Sequence, residues 1–130
     1  VLSVIRFLDL IHEIDESNIT KKNSAEIARL TIQKEEHAQI AKDEIVTIWG
    51  DYFKEPQISK FPEVHELAHN IMMLGSKSKQ GLDRTNAEDL LIKVNRFAEI
   101  FWATKDIETE SLISPYPPSM PVTYPKLKSA

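Results

Sequence analysis

From Val1 to about Ile107, apolar residues recur at spacings of three and four and almost nowhere in β-branched alternation. That period gathers side chains on one face of a helix rather than one face of a strand. Only three glycines interrupt the chain, and each is expected between helices or at a helix end. The pattern confines the chain to the all-α class, as a compact bundle of about five helices. A length of 130 residues suits one core.

The first helix is expected from Val1 to about Ile14. Val1, Val4, Ile5, Leu8 and Ile11 form one stripe, and Leu2, Phe7, Leu10 and Ile14 form a second apolar flank. So wide an apolar arc predicts a central or sandwiched helix. Asn23 with Glu26 three residues on has capping spacing and predicts a short second helix facing Ile27, Leu30 and Thr31 inward. A third helix follows over Glu35 to Phe53, with Ala38, Ala41, Ile45, Ile48, Trp49 and Tyr52 as its stripe. Pro62 fits the first turn of a fourth helix that buries Val64, Leu67, Ala68, Ile71 and Met72 and ends at Gly75. Residues 76–83 read as a loop. Thr85 and Glu88 open a fifth helix, with Ala87, Leu90, Leu91, Val94, Phe97, Ala98 and Phe101 on its inner face.

The composition then changes. Five of the seven prolines lie between Pro115 and Pro125, where no helix interior can form. Two segments follow: a helical bundle over 1–107 and an extended proline-rich tail over 108–130, in part polyproline II. Tyr116, Met120, Val122 and Tyr124 give the tail enough apolar surface to dock on the bundle.

Composition removes several functions. The formal charge is −4, with nine acidic and six basic side chains in the first 50 residues and eleven and ten in the rest. Neither part is the basic field that phosphate contacts require, so nucleic acid is a poor partner. No apolar run reaches the about 20 residues that span a bilayer, so no membrane role is expected. There is no cysteine, which removes disulfides, thiolate metal ligation and a thiol nucleophile from these residues. Val1 already lies inside a helical pattern, so the chain is expected to be a monomeric domain of a larger protein.

One motif carries chemistry on its face. His65-Glu66-Leu67-Ala68-His69 places two imidazoles one turn apart, with a glutamate that could act as general base on a zinc-bound water. Glu88, Asp89 or Glu99 would have to supply the third ligand. On the wheel centred on Val64, however, His65 and His69 sit at the polar border and Glu66 points away. Everything upstream reads as helix, where such hydrolases place a sheet, and Glu63 puts a charge beside the motif. A zinc-dependent hydrolase is therefore the alternative reading, and no metal site or cofactor is expected. Glu35-Glu36-His37 has no matching Glu-x-x-His pair on another helix, as a carboxylate-bridged metal site would need. Neither a nucleophile elbow nor a phosphate-binding loop occurs.

The stretch from Leu8 to Phe53 resembles the TFIIS N-terminal (LW) domain family. The carrying residues are Ile19-Thr20, then Ile27, Leu30 and Lys34, then Ile40-Ala41-Lys42 leading to Ile45-Val46-Thr47-Ile48-Trp49. One extra residue separates Ala41 from Trp49 relative to the family pattern. The resemblance implies a non-enzymatic scaffold in a nuclear transcription elongation, termination or RNA-processing factor that binds short disordered motifs of partner proteins. Lys21, Lys22, Arg29 and Lys34 form the main basic cluster. With Trp49 and Phe53 they are the expected partner contacts, in a groove between the second and third helices.

Overall fold

A computed structural model describes residues 1–127 of the chain. Five helices and one hairpin appear in order: α1 (Leu2–His12), α2 (Lys21–Asp51), α3 (Glu55–Lys60), α4 (Val64–Gln80), α5 (Arg84–Ala103), β1 (Thr109–Ile113) and β2 (Pro121–Pro125). The class is thus mostly helical rather than purely all-α. Helix α1 packs on α2 and α5, and α4 packs on the same two, so the longer helices close a ring around the core.

The apolar stripes land where the helical period puts them. Val4, Ile5, Leu8 and Ile11 of α1 are buried, as are Val64, Leu67, Ala68 and Ile71 of α4 and Ala87, Leu90, Leu91 and Phe97 of α5. They divide into two clusters. One joins Ile45, Phe53, Val64, Leu67, Ile71, Leu90, Phe97 and Ile100, with Trp49, Tyr52, Phe61 and Phe101 packed against it. The other joins Val4, Ile5, Leu8, Ala38, Ala87 and Leu91, with Val1, Leu2 and Met120 at its edge.

Three expectations about helix boundaries are corrected. The second and third helices are one helix, because nothing from Thr20 to Trp49 is glycine or proline and propagation adds a hydrogen bond for each residue fixed. At about 1.5 Å per residue it runs roughly 46 Å. Its cap is Thr20, whose Oγ1 accepts from the Asn23 amide at 3.1 Å, rather than Asn23. Helix α4 passes straight through Gly75 to Gln80. Gly75 is buried there because the stem of Lys42 lies across it: a β-carbon at 75 would come within 2.6 Å of Lys42 Cγ. Helix α5 is capped by Asp83, which accepts from the Thr85 amide at 2.9 Å, two residues earlier than Thr85 and Glu88 suggest. Helix α3 was not expected at all. Pro56 sits in its first turn, and the Lys54 amide donates to Gln57 Oε1 at 3.0 Å.

The proline-rich tail, described as far as residue 127, is extended and docked as expected, but as a hairpin rather than polyproline II; residues 128–130 of the expected tail lie outside the described residues. It forms an antiparallel hairpin with Thr109 opposite Pro125 and Ile113 opposite Pro121. The hairpin lies on α5, where Asn95 Nδ2 donates to the Pro121 carbonyl at 3.0 Å and the Thr123 amide donates to Asn95 Oδ1 at 3.1 Å. Prolines at both ends of β2 are compatible with a strand whose outer edge needs no amide donors.

Candidate functional site

The seam between α2 and α4 holds most of the residues singled out from sequence. These helices run side by side, tied by lysines. Lys34 Nζ donates to the Gly81 carbonyl at 2.5 Å, Lys42 Nζ to Ser76 Oγ at 2.8 Å and Lys79 Nζ to Gln39 Oε1 at 3.1 Å. Lys34 is 1% exposed. Burial pushes its pKa below the ordinary 10.5, against the pull of neighbouring Glu35 in the other direction. The hydroxyl of Ser78, also buried, has no hydrogen-bond partner among the described residues.

The expected partner groove does not form. Lys34 lies inside the seam, and Phe53 is 4% exposed within the aromatic cluster, so neither presents itself to another protein. Trp49 is half-buried: its indole N–H donates to His65 Nδ1 at 3.1 Å, and the two rings meet edge to face at 5.7 Å. Only Lys21, Lys22 and Arg29 remain on the surface, along the first turns of α2.

That indole bond also decides the HExxH motif. His65 accepts at Nδ1, so its neutral ring carries the proton on Nε2 and has no second lone pair for a metal. Zinc would have to displace Trp49. Both histidines and Glu66 are exposed on α4. Glu99, one of the third ligands considered, is engaged by Arg96 at 3.1 Å. Arg96 also pairs with Glu63 across α4 and α5; the Glu63 hydrogen bond is the main cause that raises its pKa.

Two polar ties went unseen in the sequence. His12 Nε2 donates to the Leu82 carbonyl at 2.8 Å, pinning the end of α1 to the α4–α5 loop. Arg84 bonds Asp9 of α1 at 2.7 Å and Glu88 one turn along α5, and its other nitrogen reaches Met120 Sδ at 3.9 Å. The Asp9 bond is the main reason its pKa is raised. The i, i+4 spacing of Arg84 and Glu88 is visible in the sequence; the contact with Asp9, 75 residues away, is not. A concavity of about 740 Å³ opens between the end of α5 and the hairpin, lined by Asp106, Ile107, Glu108, Lys126 and Leu127. It contains no histidine and no nucleophile paired with a base.

The fold and these sites define a helical-bundle protein with a C-terminal hairpin, in which His65 bonds Trp49 between two helices and His12 bonds the α4–α5 loop. The family model described as nickel-containing superoxide dismutase matches residues 1–105. The chain belongs to the nickel-containing superoxide dismutase family. It is 35% identical over 77 residues to the nickel superoxide dismutase of Streptomyces coelicolor and 34% identical over 77 residues to that of Streptomyces seoulensis. Each alignment covers 59% of this chain and 59% of the relative's length. Among solved structures, native nickel superoxide dismutase superposes with a TM-score of 0.71 at 29% identity, over 79% of this chain and 83% of that one. Its apo form gives 0.70 at 29% identity, over 80% and 87%.

These matches overturn the TFIIS resemblance and what it implied. The resemblance rested on a common helical period before Trp49, and it required a helix break that α2 does not have. The expectation of a non-enzymatic scaffold falls, because the family is one of oxidoreductases. The zinc-hydrolase alternative falls with it. A nuclear location is overturned as well: the relatives come from Streptomyces, bacteria without a nucleus.

The family's name implies nickel, and the side chains can be tested against it. A bound transition metal needs several donors converging on one point. Among the described residues no three His, Cys, Asp or Glu side chains do so, and the 130 residues include no cysteine. His65, with its lone pair held by Trp49, is not poised to ligate. These side chains do not fit a nickel centre.

Proposed function

We propose that the protein is a nickel superoxide dismutase, an oxidoreductase that converts two superoxide anions and two protons into dioxygen and hydrogen peroxide. In this reading the helices described here form its body, and donors other than the described side chains hold the metal. The observation that carries the reading is the family match over residues 1–105, which runs from the start of α1 past the end of α5. The similar superposition on the native and apo relatives agrees with a body whose shape does not depend on the metal. The test uses the protein purified from its own cells, assayed for superoxide consumption and for nickel by elemental analysis. Dismutation that rises and falls with nickel content is the expected result. Protein free of nickel and without dismutase activity overturns the reading.

A further inference from the structure

The chain has three methionines, and their surroundings differ. Met72 is half-buried against the aromatic end of the core. Met73 is exposed on α4. Met120 lies beyond the family match, in the residue before β2. It is half-buried at the edge of the aliphatic cluster that joins Val4, Ile5 and Leu8. Its sulfur also meets a charge. Arg84 Nη2 reaches Met120 Sδ at 3.9 Å, while Nε and Nη1 of the same guanidinium donate to Asp9 and Glu88. A thioether is a weak acceptor, so this contact by itself holds little.

We propose that Met120 is a peroxide modification site, and that its sulfoxide fastens the hairpin to Arg84. The oxidant is hydrogen peroxide, a product of the dismutation proposed above; the inference rests on that reading for the source of peroxide alone. A sulfur lone pair attacks one peroxide oxygen and the O–O bond breaks. That oxygen stays on sulfur, its proton passes to the departing oxygen, and water leaves. Sulfur gives up two electrons and peroxide takes them. Oxidation of this kind ordinarily drives a methionine out of an apolar contact, because the sulfoxide is polar. At Met120 a donor is already in place. An oxygen on the lone pair facing Arg84 fills the 3.9 Å gap and stands roughly 2.9 Å from Nη2. The weak contact becomes a charge-assisted hydrogen bond. Only one lone pair faces the guanidinium, so only one sulfoxide epimer gains the bond. The hairpin follows Met120, whose carbonyl accepts from the Ser114 amide at 3.1 Å and whose neighbour Pro121 is held through its carbonyl by Asn95 of α5.

The test uses the 130-residue chain carrying Met72→Leu and Met73→Leu, which keep side-chain volume and leave Met120 as the only sulfur. Hydrogen peroxide itself is added, so the outcome is separate from dismutase activity. Mass mapping should find one added oxygen on Met120. The Ser114 and Thr123 amides, which donate to Met120 O and Asn95 Oδ1, should then exchange about tenfold more slowly, the effect of one hydrogen bond to a charged group. A reductase specific for one sulfoxide epimer should return exchange to its starting rate, and the reductase for the other should not. Met120→Gln sets an amide oxygen beside the position of the sulfur and should slow the same two amides without peroxide. Met120→Leu should be indifferent to peroxide. A Met120 that stays unoxidised overturns the proposal. So does unchanged or faster exchange at Ser114 and Thr123 after oxidation, equal reversal by both reductases, or exchange in Met120→Gln as fast as in Met120→Leu.

Discussion

Phe53, Phe97, Phe101, Tyr52 and Trp49 crowd one end of the bundle, while Val4, Ile5, Leu8, Ala38, Ala87 and Leu91 form the other buried cluster with no aromatic ring among them. At the aromatic end the rings meet directly: Phe53 lies 5.4 Å from Phe97 and Tyr52 lies 5.0 Å from Phe101. Tyr52 also shares a 2.7 Å hydrogen bond with Thr104. At the α1 end small aliphatic side chains fill the interior, and the rim is closed by Arg84, Asp9, Glu88 and the His12 bond. One end gains its stability from area removed from water, the other from modest burial plus polar ties at the surface. The contrast implies that core truncation and salt should act on different ends.

The largest effect expected is at the aromatic end. Phe97→Ala should cost about 4 kcal/mol in urea unfolding, against about 3 kcal/mol for Leu8→Ala. An equal or larger loss at Leu8 would erase the difference between the two ends.

Lys34 gives the next test, because it buries a charge in the α2–α4 seam. Its folded pKa lies below 10.5, so between that lowered value and 10.5 the unfolded chain binds more protons than the folded one. Stability contributed through this group is therefore depressed at low and neutral pH and recovers as pH rises through that window. The stability of the wild type relative to Lys34→Met should climb over the same range, measured by paired denaturation curves. A flat difference would mean that the ammonium is solvated and that the seam is open.

The smallest effect belongs to the rim. Arg84→Met should cost about 1 kcal/mol at low salt and less at high salt, since its partners are partly exposed. A loss independent of salt would show that the α1 end relies on packing by the arginine stem instead.

Which faces of the helices are buried was legible from period alone, and the core positions Val4, Ile5, Leu8, Leu67, Ile71 and Leu90 lie where it placed them. Boundaries were less legible. The run Gln33-Lys34-Glu35-Glu36 looks like a solvated break, yet Lys34 turns inward, where the Gly81 carbonyl, 47 residues on, accepts a hydrogen bond from its Nζ. The hairpin was illegible because prolines forbid a helix without announcing which strand edge they will occupy. The candidate site was illegible for a different reason. HExxH displays a metal-binding spacing, and only the position of Trp49 on another helix shows the His65 lone pair to be taken. Family membership has no short motif in these residues; its signal is spread over residues 1–105 and emerges only by comparison with relatives.

Gly75 and Lys42 together impose an order on mutational change. Lys42 can shorten at any time, leaving a void and an unpaired Ser76. Gly75 cannot acquire a side chain while the Lys42 stem lies across it, since the approach involves mid-chain carbons rather than a movable tip. A lineage could exchange the pair only by passing through the smaller residue at 42 first. Of the two routes between a lysine–glycine seam and an alanine–alanine one, a single route avoids an overpacked intermediate.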